Sequence, residues 1–585
     1  MRRLLTHTAV SVLVLTGATA CGDGTSQPPL PAHLEFSTRS LELGLSRIAS
    51  VEIRNTGGQA VGPVEVHPGL VRDASGATVP GSRVLASPGE IPTLNPGAGS
   101  TLELDLSLPG TLAPGPYDAV VTARAGAEAQ ASVVIHFQVP TADEAAAASL
   151  VIASVSSPLR QGDVAALLVE VRDDDGALLP GATVRWTIEP AGAAFVGGNG
   201  QFVGYEAGTV TLTARVGNAV DTALVSVEKR ALAGAFSVVG RGEETLRYTS
   251  DLWLSGDFAY TGTWGGRTTS DGYNVGNTLL VWDVSQPSAP RRVGSVEVDA
   301  RTVNDVKVGA DGTIAVITHE GSKDGLNGIT VLDLSDPSSP VPVGRFSSEL
   351  EPGVHNVWLD GDYAYLVVDG VGSGLRILDL SDPAAPRVAA TFYAGSSFLH
   401  DVYVRDGLAF LAHWNAGLVI LDVGNGIAGG SPEDPVEVSR LTDLGGETHN
   451  AWYWPEAGYV FVGEEDFSTP GRMHVVDVRN LREPREVGTF QVPDQTPHNF
   501  WLDEDRAVLY QAWYGQGIRA LDVSGELLGE LDRQGREITW ARYSPGPGFC
   551  DRVGGDTCTW APQLHRGLVW VADMNNGLVA LEPPR

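Results

Sequence analysis

The chain has 585 residues, of which 43% are apolar and 19% charged, and it contains 71 glycines and 36 prolines. This length predicts several domains, and the composition excludes both a collagen-like and a disordered chain. The formal net charge of −32 at pH 7 argues against a nucleic-acid partner, because phosphate backbones would be repelled.

The first 21 residues have the pattern of an export signal. Arg2 and Arg3 give a positive start, residues 9–15 form an apolar run, and small residues precede Cys21. The run is too short to span a bilayer, which takes about 20 residues. The small residues that end on Cys21 resemble the lipobox of bacterial lipoproteins, which implies that Cys21 is lipidated. The alternative is an ordinary cleaved signal with a chance cysteine; in either case residues 22–30 form a flexible tether.

Cys550 and Cys558 are the other two cysteines, and they lie close together in a loop rich in Gly and Pro. An exported chain meets oxidising conditions, so the pair predicts a disulfide that closes a short loop. A metal-binding or catalytic role for either thiol is the weaker alternative.

Short runs of alternating apolar and polar residues, separated by turn-forming residues, predict an all-β protein. Residues 31–140 form a first unit, whose stretch LEFSTRSLELGLSRIASVEIRNTGG resembles the β-sandwich modules of bacterial surface proteins. Alanine-rich residues 141–149 join it to the next unit. Residues 149–229, with DDDGALLPGATVRWTI and GYEAGTVTLTARVG, resemble bacterial Ig-like modules of invasin-type proteins, in which Trp186 would be a core residue. That resemblance implies spacers that hold a working domain away from the membrane.

From residue 231 the chain repeats itself. Seven stretches end in the same way: LLVWD at Asp283, ITVLD at Asp333, LRILD at Asp379, LVILD at Asp422, MHVVD at Asp477, IRALD at Asp522 and LVALE at Glu582. A period of roughly 40–50 residues built from four short strands is typical of a propeller blade. In the most regular copy the strands are predicted at 355–359, 363–368, 375–380 and 387–393.

The run LDLSDPAAP and its relatives VWDVSQPSAP and LDLSDPSSP resemble the LVIVD-repeat family of bacterial β-propellers over residues 236–582. The last copy stops after its third strand, whereas the segment AFSVVGRG (235–242) precedes the first copy as a single unpaired strand. Pairing these two ends removes exposed strand edges. We therefore expect two Ig-like sandwiches followed by a seven-bladed propeller over residues 231–585, closed by strand exchange.

Four consecutive blades begin their innermost strand with histidine followed by Asn or Asp, at the mouth of the central channel. These histidines are His355, His400, His449 and His498, and strand symmetry places them in an arc, with His319 and His413 on the same face. Imidazole is a common ligand for Zn, Cu or Fe, so the arc predicts a transition-metal site. Nearby carboxylates that would join or orient the ligands are Glu320, Asp369, Glu447, Glu464, Glu465, Asp466 and Asp573.

The alternative is that each histidine, like Asn or Asp in many turns, satisfies backbone groups at the start of its strand. Further candidates for contact with a ligand on this face are Asn304, Asp305, Asp369, Asp401, Glu464, Trp414, Trp513 and Asp573, with Trp264 and Tyr514 beside them. Trp358, Trp452 and Trp501 follow three residues after histidines, and this odd offset predicts that they turn away from the channel.

These features support two hypotheses about function, and a purely structural role in adhesion is a third option. The first is a lipid-anchored protein of the bacterial envelope, at the outer membrane or cell surface, whose propeller face binds a protein or small-molecule partner. Contact with the membrane would be through the lipid alone, and the acidic balance favours a cationic partner. The second is a metal-dependent oxidoreductase or hydrolase that uses the histidine arc. The sequence has no GxSxG, HExxH or phosphate-loop motif, and so whether the protein is an enzyme stays open.

Overall fold

The computed structural model describes residues 32–43, 48–107, 112–126, 129–153, 158–198, 200–266, 276–370, 372–395, 398–467, 470–543, 550 and 557–584. The predicted export signal, Cys21 and most of the tether lie outside these residues. Two compact units are present: one has the described residues up to Leu150 with Glu170–Arg185 and Arg215–Val220, and the other has Val151–Val169, Trp186–Ala214 and the described residues from Asp221 onward.

The first unit contains one ten-stranded sheet, in which most strands pair antiparallel. Its strands are β1 (Leu34–Phe36), β2 (Ser40–Leu43), β3 (Ile48–Asn55), β4 (Val64–His67), β5 (Gly69–Asp73), β6 (Thr78–Ser87), β7 (Glu90–Ile91), β8 (Gly99–Ser107), β9 (Gly115–Ala125) and β10 (Ala129–Val139). The order is β1-β3-β8-β6-β5-β9-β10-β2, with β4 beside β7 and β9. Along β8 every second residue is buried, so Leu102, Leu104 and Leu106 face the core.

A single helical turn, α1 (Ala142–Ala146), occupies the alanine-rich joint. The Thr141 side chain accepts a hydrogen bond from the backbone N–H of Glu144, while the Glu144 carboxylate accepts one from the backbone N–H of Thr141. This reciprocal cap satisfies two donors that a helix start otherwise leaves unpaired.

The next strands form three small sheets. They are β11 (Ser149–Ile152), β12 (Leu159–Arg160), β13 (Val164–Ala166), β14 (Val169–Arg172), β15 (Arg185–Glu189), β16 (Ala194–Val196), β17 (Gln201–Gly204), β18 (Gly208–Val216) and β19 (Ala219–Glu228). The sheet orders are β11-β14, β12-β19-β18-β15 and β13-β17-β16. Half-buried Trp186 packs against a core that includes Phe202 and Leu212, in the position that the sequence predicts.

The described residues from Ser237 to Glu582 form seven sheets of four antiparallel strands, one of which carries a fifth strand. In the first four sheets the strands are β21 (Arg247–Ser255), β22 (Phe258–Gly266), β23 (Thr278–Asp283) and β24 (Arg291–Glu297); β25 (Val306–Val308), β26 (Ile314–His319), β27 (Gly328–Asp333) and β28 (Val341–Phe346); β29 (Val354–Asp360), β30 (Tyr363–Val368), β31 (Leu375–Asp379) and β32 (Arg387–Phe392); and β33 (Asp401–Arg405), β34 (Leu408–His413), β35 (Gly417–Asp422) and β36 (Val436–Leu441).

Of the last three sheets, the final one combines strands from both ends of this region. They are β37 (Thr448–Trp454), β38 (Tyr459–Glu464), β39 (Arg472–Asp477) and β40 (Arg485–Gln491), extended by β44 (Gly529–Glu530); β41 (Phe500–Asp503), β42 (Val508–Ala512), β43 (Ile518–Asp522) and β45 (Glu537–Ala541); and β46 (Thr559–His565), β47 (Leu568–Asp573) and β48 (Gly577–Glu582) with β20 (Ser237–Gly242). A short 3-10 helix covers Leu531–Arg533. Strand β20 lies antiparallel to β48, with Ser237 opposite Glu582.

The first strands of successive sheets contact one another in a circle, from β21 through β25, β29, β33, β37 and β41 to β46, which contacts β21 again. Turns on the outer side are held by aspartate. The Asp379 carboxylate accepts the backbone N–H of Ser381 at 2.8 Å, and the Asp382 carboxylate accepts that of Ala384 at 3.1 Å. These carboxylates fix turns before and after a proline.

Cys550 and Cys558 form the predicted disulfide. Within the part of the chain that the structure covers, no helix has the length and apolar character needed to cross a membrane.

Candidate functional site at the start of the inner strands

The four predicted histidines lie side by side where the first strands of four successive sheets begin. The ring centroids of His355 and His400 are 4.5 Å apart, those of His400 and His449 4.2 Å, and those of His449 and His498 4.3 Å. Trp560 continues the row, with its ring 4.0 Å from that of His498. The arc expected from strand symmetry is therefore a continuous row of touching rings.

A bulge sets the direction of these side chains. Val354 pairs with Val368 and Asn356 with Val367, so that His355 is an extra residue in its strand. The register shifts in the same way around His449 and Trp560. An extra residue reverses the alternation of side chains along a strand. Residues on either side of the bulge can thus point to the same side.

The bulge overturns the prediction that the tryptophans turn away from the channel. Trp358, Trp452 and Trp501 meet one another and Trp253: the centroid distances are 4.9 Å for Trp452–Trp501, 6.4 Å for Trp358–Trp452 and 6.0 Å for Trp253–Trp501. These rings line a small cavity of about 50 Å³ inside the circle of first strands. The odd offset from the histidines misled the prediction because it assumed a regular strand.

Backbone carbonyls fix the tautomer of two of the imidazoles. Nδ1 of His400 lies 3.1 Å from the carbonyl oxygen of His449, and Nδ1 of His498 lies 2.6 Å from that of Trp560. A carbonyl oxygen only accepts, so Nδ1 carries the proton and Nε2 keeps its lone pair. Asn304, which replaces histidine in the second sheet, donates to the carbonyl of His355 at 2.9 Å.

His449 differs from its neighbours. His449 is 1% exposed, and neither of its ring nitrogens has a hydrogen-bond partner within the described part of the chain. Its Nε2 lies 3.8 Å from a carboxylate oxygen of Glu465, whose other oxygen accepts a hydrogen bond from the Tyr514 hydroxyl. A buried polar group without a partner is costly, on the order of 1–3 kcal/mol.

A second group surrounds His355 at the end of the row. Its Nδ1 lies 2.9 Å from a carboxylate oxygen of Glu320 and 3.9 Å from one of Asp369. Glu320 follows the second strand of the preceding sheet, and Asp369 follows that of the same sheet as His355. The two acids therefore enclose one imidazole.

The two groups differ in protonation. Burial and the neighbouring imidazoles lower the pKa values of His400 and His449 well below the ordinary range, and burial lowers the pKa of His498 to about 3. Burial opposes the charge of His355, yet Glu320 raises the pKa of its imidazole to about 9.

The carboxylates beside these imidazoles are also shifted. Burial raises the pKa of Glu465 to about 7, and burial together with the charge of Glu320 raises that of Asp369 to about 7. Acids of this kind exchange protons near neutral pH.

Two sets of three side chains offer ligand atoms that all lie within 4.8 Å of one another: His400, His449 and Glu465, and Glu320, His355 and Asp369. Carboxylates that the sequence suggested as partners of the ligands thus lie close enough to be ligands themselves. Two histidines and a carboxylate are a donor set that divalent transition metals accept.

Other predicted residues lie beside or below the row. The Trp414 ring is 5.1 Å from that of His400, and Phe398, which no sequence pattern indicates, touches both His355 and His400. Asp305 and Asp401 lie one layer further into the channel, near the ammonium of Lys307. The sequence analysis did not predict Lys307 as part of this region either. In the second sheet it occupies the position that tryptophan occupies in several other sheets.

Several predicted residues are not part of the row. His319 is buried with its Nε2 3.0 Å from the Thr330 hydroxyl, and buried His413 belongs to neither set of grouped ligand atoms. Glu464 lies 3.5 Å from His474 instead. Asp466 and Glu447 adjoin Glu465 in space or sequence, but they too stand outside the two sets.

Two further predictions need correction. Trp513 is 0% exposed, donates to Gln511 and packs against Phe490, so it belongs to the core and not to a ligand pocket. Asp573 is fully buried and accepts hydrogen bonds from the backbone of Cys558 at 2.7 Å and of Asn575 at 3.0 Å. Its carboxylate holds a turn.

Comparison with known proteins agrees with the repeat pattern. The model of the LVIVD repeat matches residues 246–268, 273–298, 324–348, 353–393 and 399–439. No curated protein matches the chain. Among solved structures, the β-propeller domain of Cps50 (Swd1) from Myceliophteria thermophila is similar at 10% identity and a TM-score of 0.41, over 59% of this chain and 99% of that one. The chain is an all-β protein that carries LVIVD repeats within a β-propeller.

Proposed function

We propose that this protein is an exported, lipid-anchored component of the bacterial envelope, and that the propeller binds a ligand or protein partner at the mouth of its channel. Lipidated Cys21 and a short tether would attach it to the outer membrane or cell surface. Two Ig-like sandwiches, residues 31–140 and 149–229, would precede a seven-bladed propeller. The pairing of β20 with β48 and the circle of first strands support that blade count.

One observation carries the binding function: unused hydrogen-bonding and ligating capacity is concentrated at one mouth. Among the residues that the structure describes, neither nitrogen of His449 has a hydrogen-bond partner, and the hydrogen bonds of His400 and His498 to carbonyls use Nδ1 and leave Nε2. Structural caps would use this capacity within the chain, whereas a binding site keeps it for a partner. The acidic balance of the chain favours a partner with cationic groups.

The second sandwich would act as a rigid support. Arg536 donates to the carbonyl oxygen of Gly162 at 2.6 Å, and the Tyr205 hydroxyl accepts the backbone N–H of Glu530 at 2.9 Å. Arg230, with a side chain that is 0% exposed, lies 2.9 Å from Asp522. These contacts favour a spacer that fixes the orientation of the propeller instead of leaving it loose.

Capture of partners by the immobilised full chain tests the binding function. A partner of the mouth should be lost when His400 and His449 are both replaced by alanine, and kept when His565, at the far end of β46, is replaced by glutamine. A specific partner that binds the double variant as well as the wild type would contradict the proposal.

A second candidate, a metal-dependent hydrolase or oxidoreductase, is favoured by one observation. Asp369 and Glu465 have pKa values raised to about 7 by burial, and Glu465 lies beside imidazoles that offer lone pairs. A group with a pKa near the working pH suits proton transfer. The full chain loaded with Zn²⁺, Cu²⁺ or Fe²⁺ should then turn over ester, phosphoester or redox substrates, and turnover that Asp369→Asn leaves unchanged would exclude this role for Asp369.

A further inference from the structure

We infer that His400, His449 and Glu465 bind a single divalent first-row transition-metal ion, and that the adjoining Glu320–His355–Asp369 group binds none. The inference deepens the proposed function, on which it rests for the location of the site. It assigns different roles to two groups whose ligand atoms all lie within 4.8 Å of one another in each group.

The first argument concerns the direction of the lone pairs. His400 donates through Nδ1 to a carbonyl, which fixes the ring and leaves Nε2 as the ligand atom. Metal-binding histidines commonly have their other nitrogen held by a carbonyl or carboxylate in this way. Glu465 has an equivalent support, because the Tyr514 hydroxyl holds one of its oxygens while the other faces Nε2 of His449.

The second argument concerns His449, which lacks the backbone partner that a structural cap would use and which lies, unlike His413, within reach of two other ligand groups. Histidines that only satisfy strand starts would all donate to backbone carbonyls, as His400 and His498 do. His449 makes no such bond within the described residues and is 1% exposed, so that water does not easily replace the missing partner. A metal ion satisfies this nitrogen, because it accepts the lone pair directly.

The third argument concerns the partners of His355. Its Nδ1 lies 2.9 Å from a carboxylate oxygen of Glu320, and the amide nitrogen of Asn304 lies 3.4 Å from its Nε2. Both nitrogens of this imidazole therefore have partners within the chain. A metal ion at the second group would have to displace one of them.

The donor set also limits the metal. Imidazole nitrogens suit Zn²⁺, Fe²⁺, Cu²⁺ and Ni²⁺, whereas Mg²⁺ and Ca²⁺ prefer oxygen ligands. Three protein ligands leave at least one coordination position for water or a partner.

Direct titration tests the inference. The full chain, purified without a histidine tag and stripped with a chelator, would be titrated with Zn²⁺ against a chromophoric competitor and with Co²⁺ by visible absorption. We expect one equivalent of tight binding. His449→Ala and Glu465→Gln should each weaken Zn²⁺ binding beyond the about 10–100-fold that loss of a supporting group costs, and Tyr514→Phe should fall within that range.

Matched variants complete the design. His565→Gln removes a histidine distant from the row, and Glu320→Gln alters the second group; both should keep the stoichiometry and change Zn²⁺ affinity less than about tenfold. Circular dichroism establishes that each variant is folded, and Glu465→Gln and Tyr514→Phe serve if His449→Ala does not fold. No binding by the wild type, two equivalents, or an affinity that Glu465→Gln leaves unchanged would each overturn the inference. Zn²⁺ binding without capture of any partner would contradict only the proposed function.

Discussion

Nδ1 of His355 lies 2.9 Å from a carboxylate oxygen of Glu320, so the last imidazole of the row forms an ion pair, unlike its three neighbours. Glu320 comes from the preceding sheet, so the pair links two sheets at the channel mouth. Because it raises the pKa of His355 to about 9, the pair makes stability depend on pH above neutrality.

The first prediction is that the unfolding free energy falls as pH rises from about 6.5 to 9. The pKa of His355 is higher in the folded chain than the 6.5 of an ordinary histidine, so its contribution is complete below pH 6.5 and is lost as pH passes 9. The loss is on the order of 3 kcal/mol at most, because a tenfold difference in proton affinity between the folded and unfolded chain is worth about 1.4 kcal/mol. Urea unfolding of the metal-free chain at pH 7 and pH 9 measures it.

Variants of His355 and Glu320 test whether this ion pair causes the pH dependence of the unfolding free energy. His355→Gln and Glu320→Gln should both flatten the slope between pH 7 and pH 9, whereas His565→Gln should not. Below pH 6.5 the buried histidines with lowered pKa values and the acids with raised pKa values have opposite effects on the unfolding free energy. The contribution of His355 is therefore measured in the alkaline range. An unchanged slope in His355→Gln would disprove the assignment.

The second prediction concerns the buried ion pair between Arg230 and Asp522. Arg230→Ala should lower the unfolding free energy by about 3–5 kcal/mol, because it removes one partner of a buried pair and leaves Asp522 without it. Arg172, which forms an exposed pair with Glu170 at 2.9 Å, is the control, and its alanine variant should cost about 1 kcal/mol or less. Urea unfolding followed by tryptophan fluorescence compares the two. Equal losses of unfolding free energy in the two variants would show that the buried pair of Arg230 stabilises the chain no more than the exposed pair of Arg172.

Much of the fold follows from local pattern. The strands predicted at 355–359 and 363–368 are observed at Val354–Asp360 and Tyr363–Val368, since alternation and the Asp-Gly turn between them leave little choice of register. The repeat also locates the segment that becomes β20, because a strand without neighbours needs an edge to pair with.

The candidate site was only partly predictable. Repetition indicates the row of histidines, but the bulge at His355 depends on pairing across two strands and has no signature in the sequence. For that reason the sequence analysis predicted that the tryptophans turn away from the channel, whereas they face it. Glu465 and Tyr514 come from different sheets, so that only the folded chain brings the carboxylate and the hydroxyl together.

The third prediction concerns attachment to the membrane. Cells that express the wild-type chain should incorporate radiolabelled palmitate into it, and Cys21→Ser should abolish the label and release the protein into the soluble fraction, because a lipidated N-terminus would be its anchor. Cys550→Ser, which removes a cysteine of the disulfide, is the control and should keep the label. Label that persists in Cys21→Ser would contradict the lipobox.

The fourth prediction concerns the strand that joins the two ends of the propeller region. A Cβ atom added at Gly240 in β20 would lie 2.1 Å from the carbonyl oxygen of Pro287, and backbone atoms of Ser288 are also within 3 Å. Backbone cannot give way as a flexible side chain does, so Gly240→Ala should lower stability by about 1–3 kcal/mol. Gly198→Ala is the matched control, because its added Cβ meets nothing within 4 Å. Thermal unfolding of both variants decides the matter: if Gly240→Ala melts with Gly198→Ala and the wild type, then β20 does not hold the two ends together as tightly as its contacts indicate.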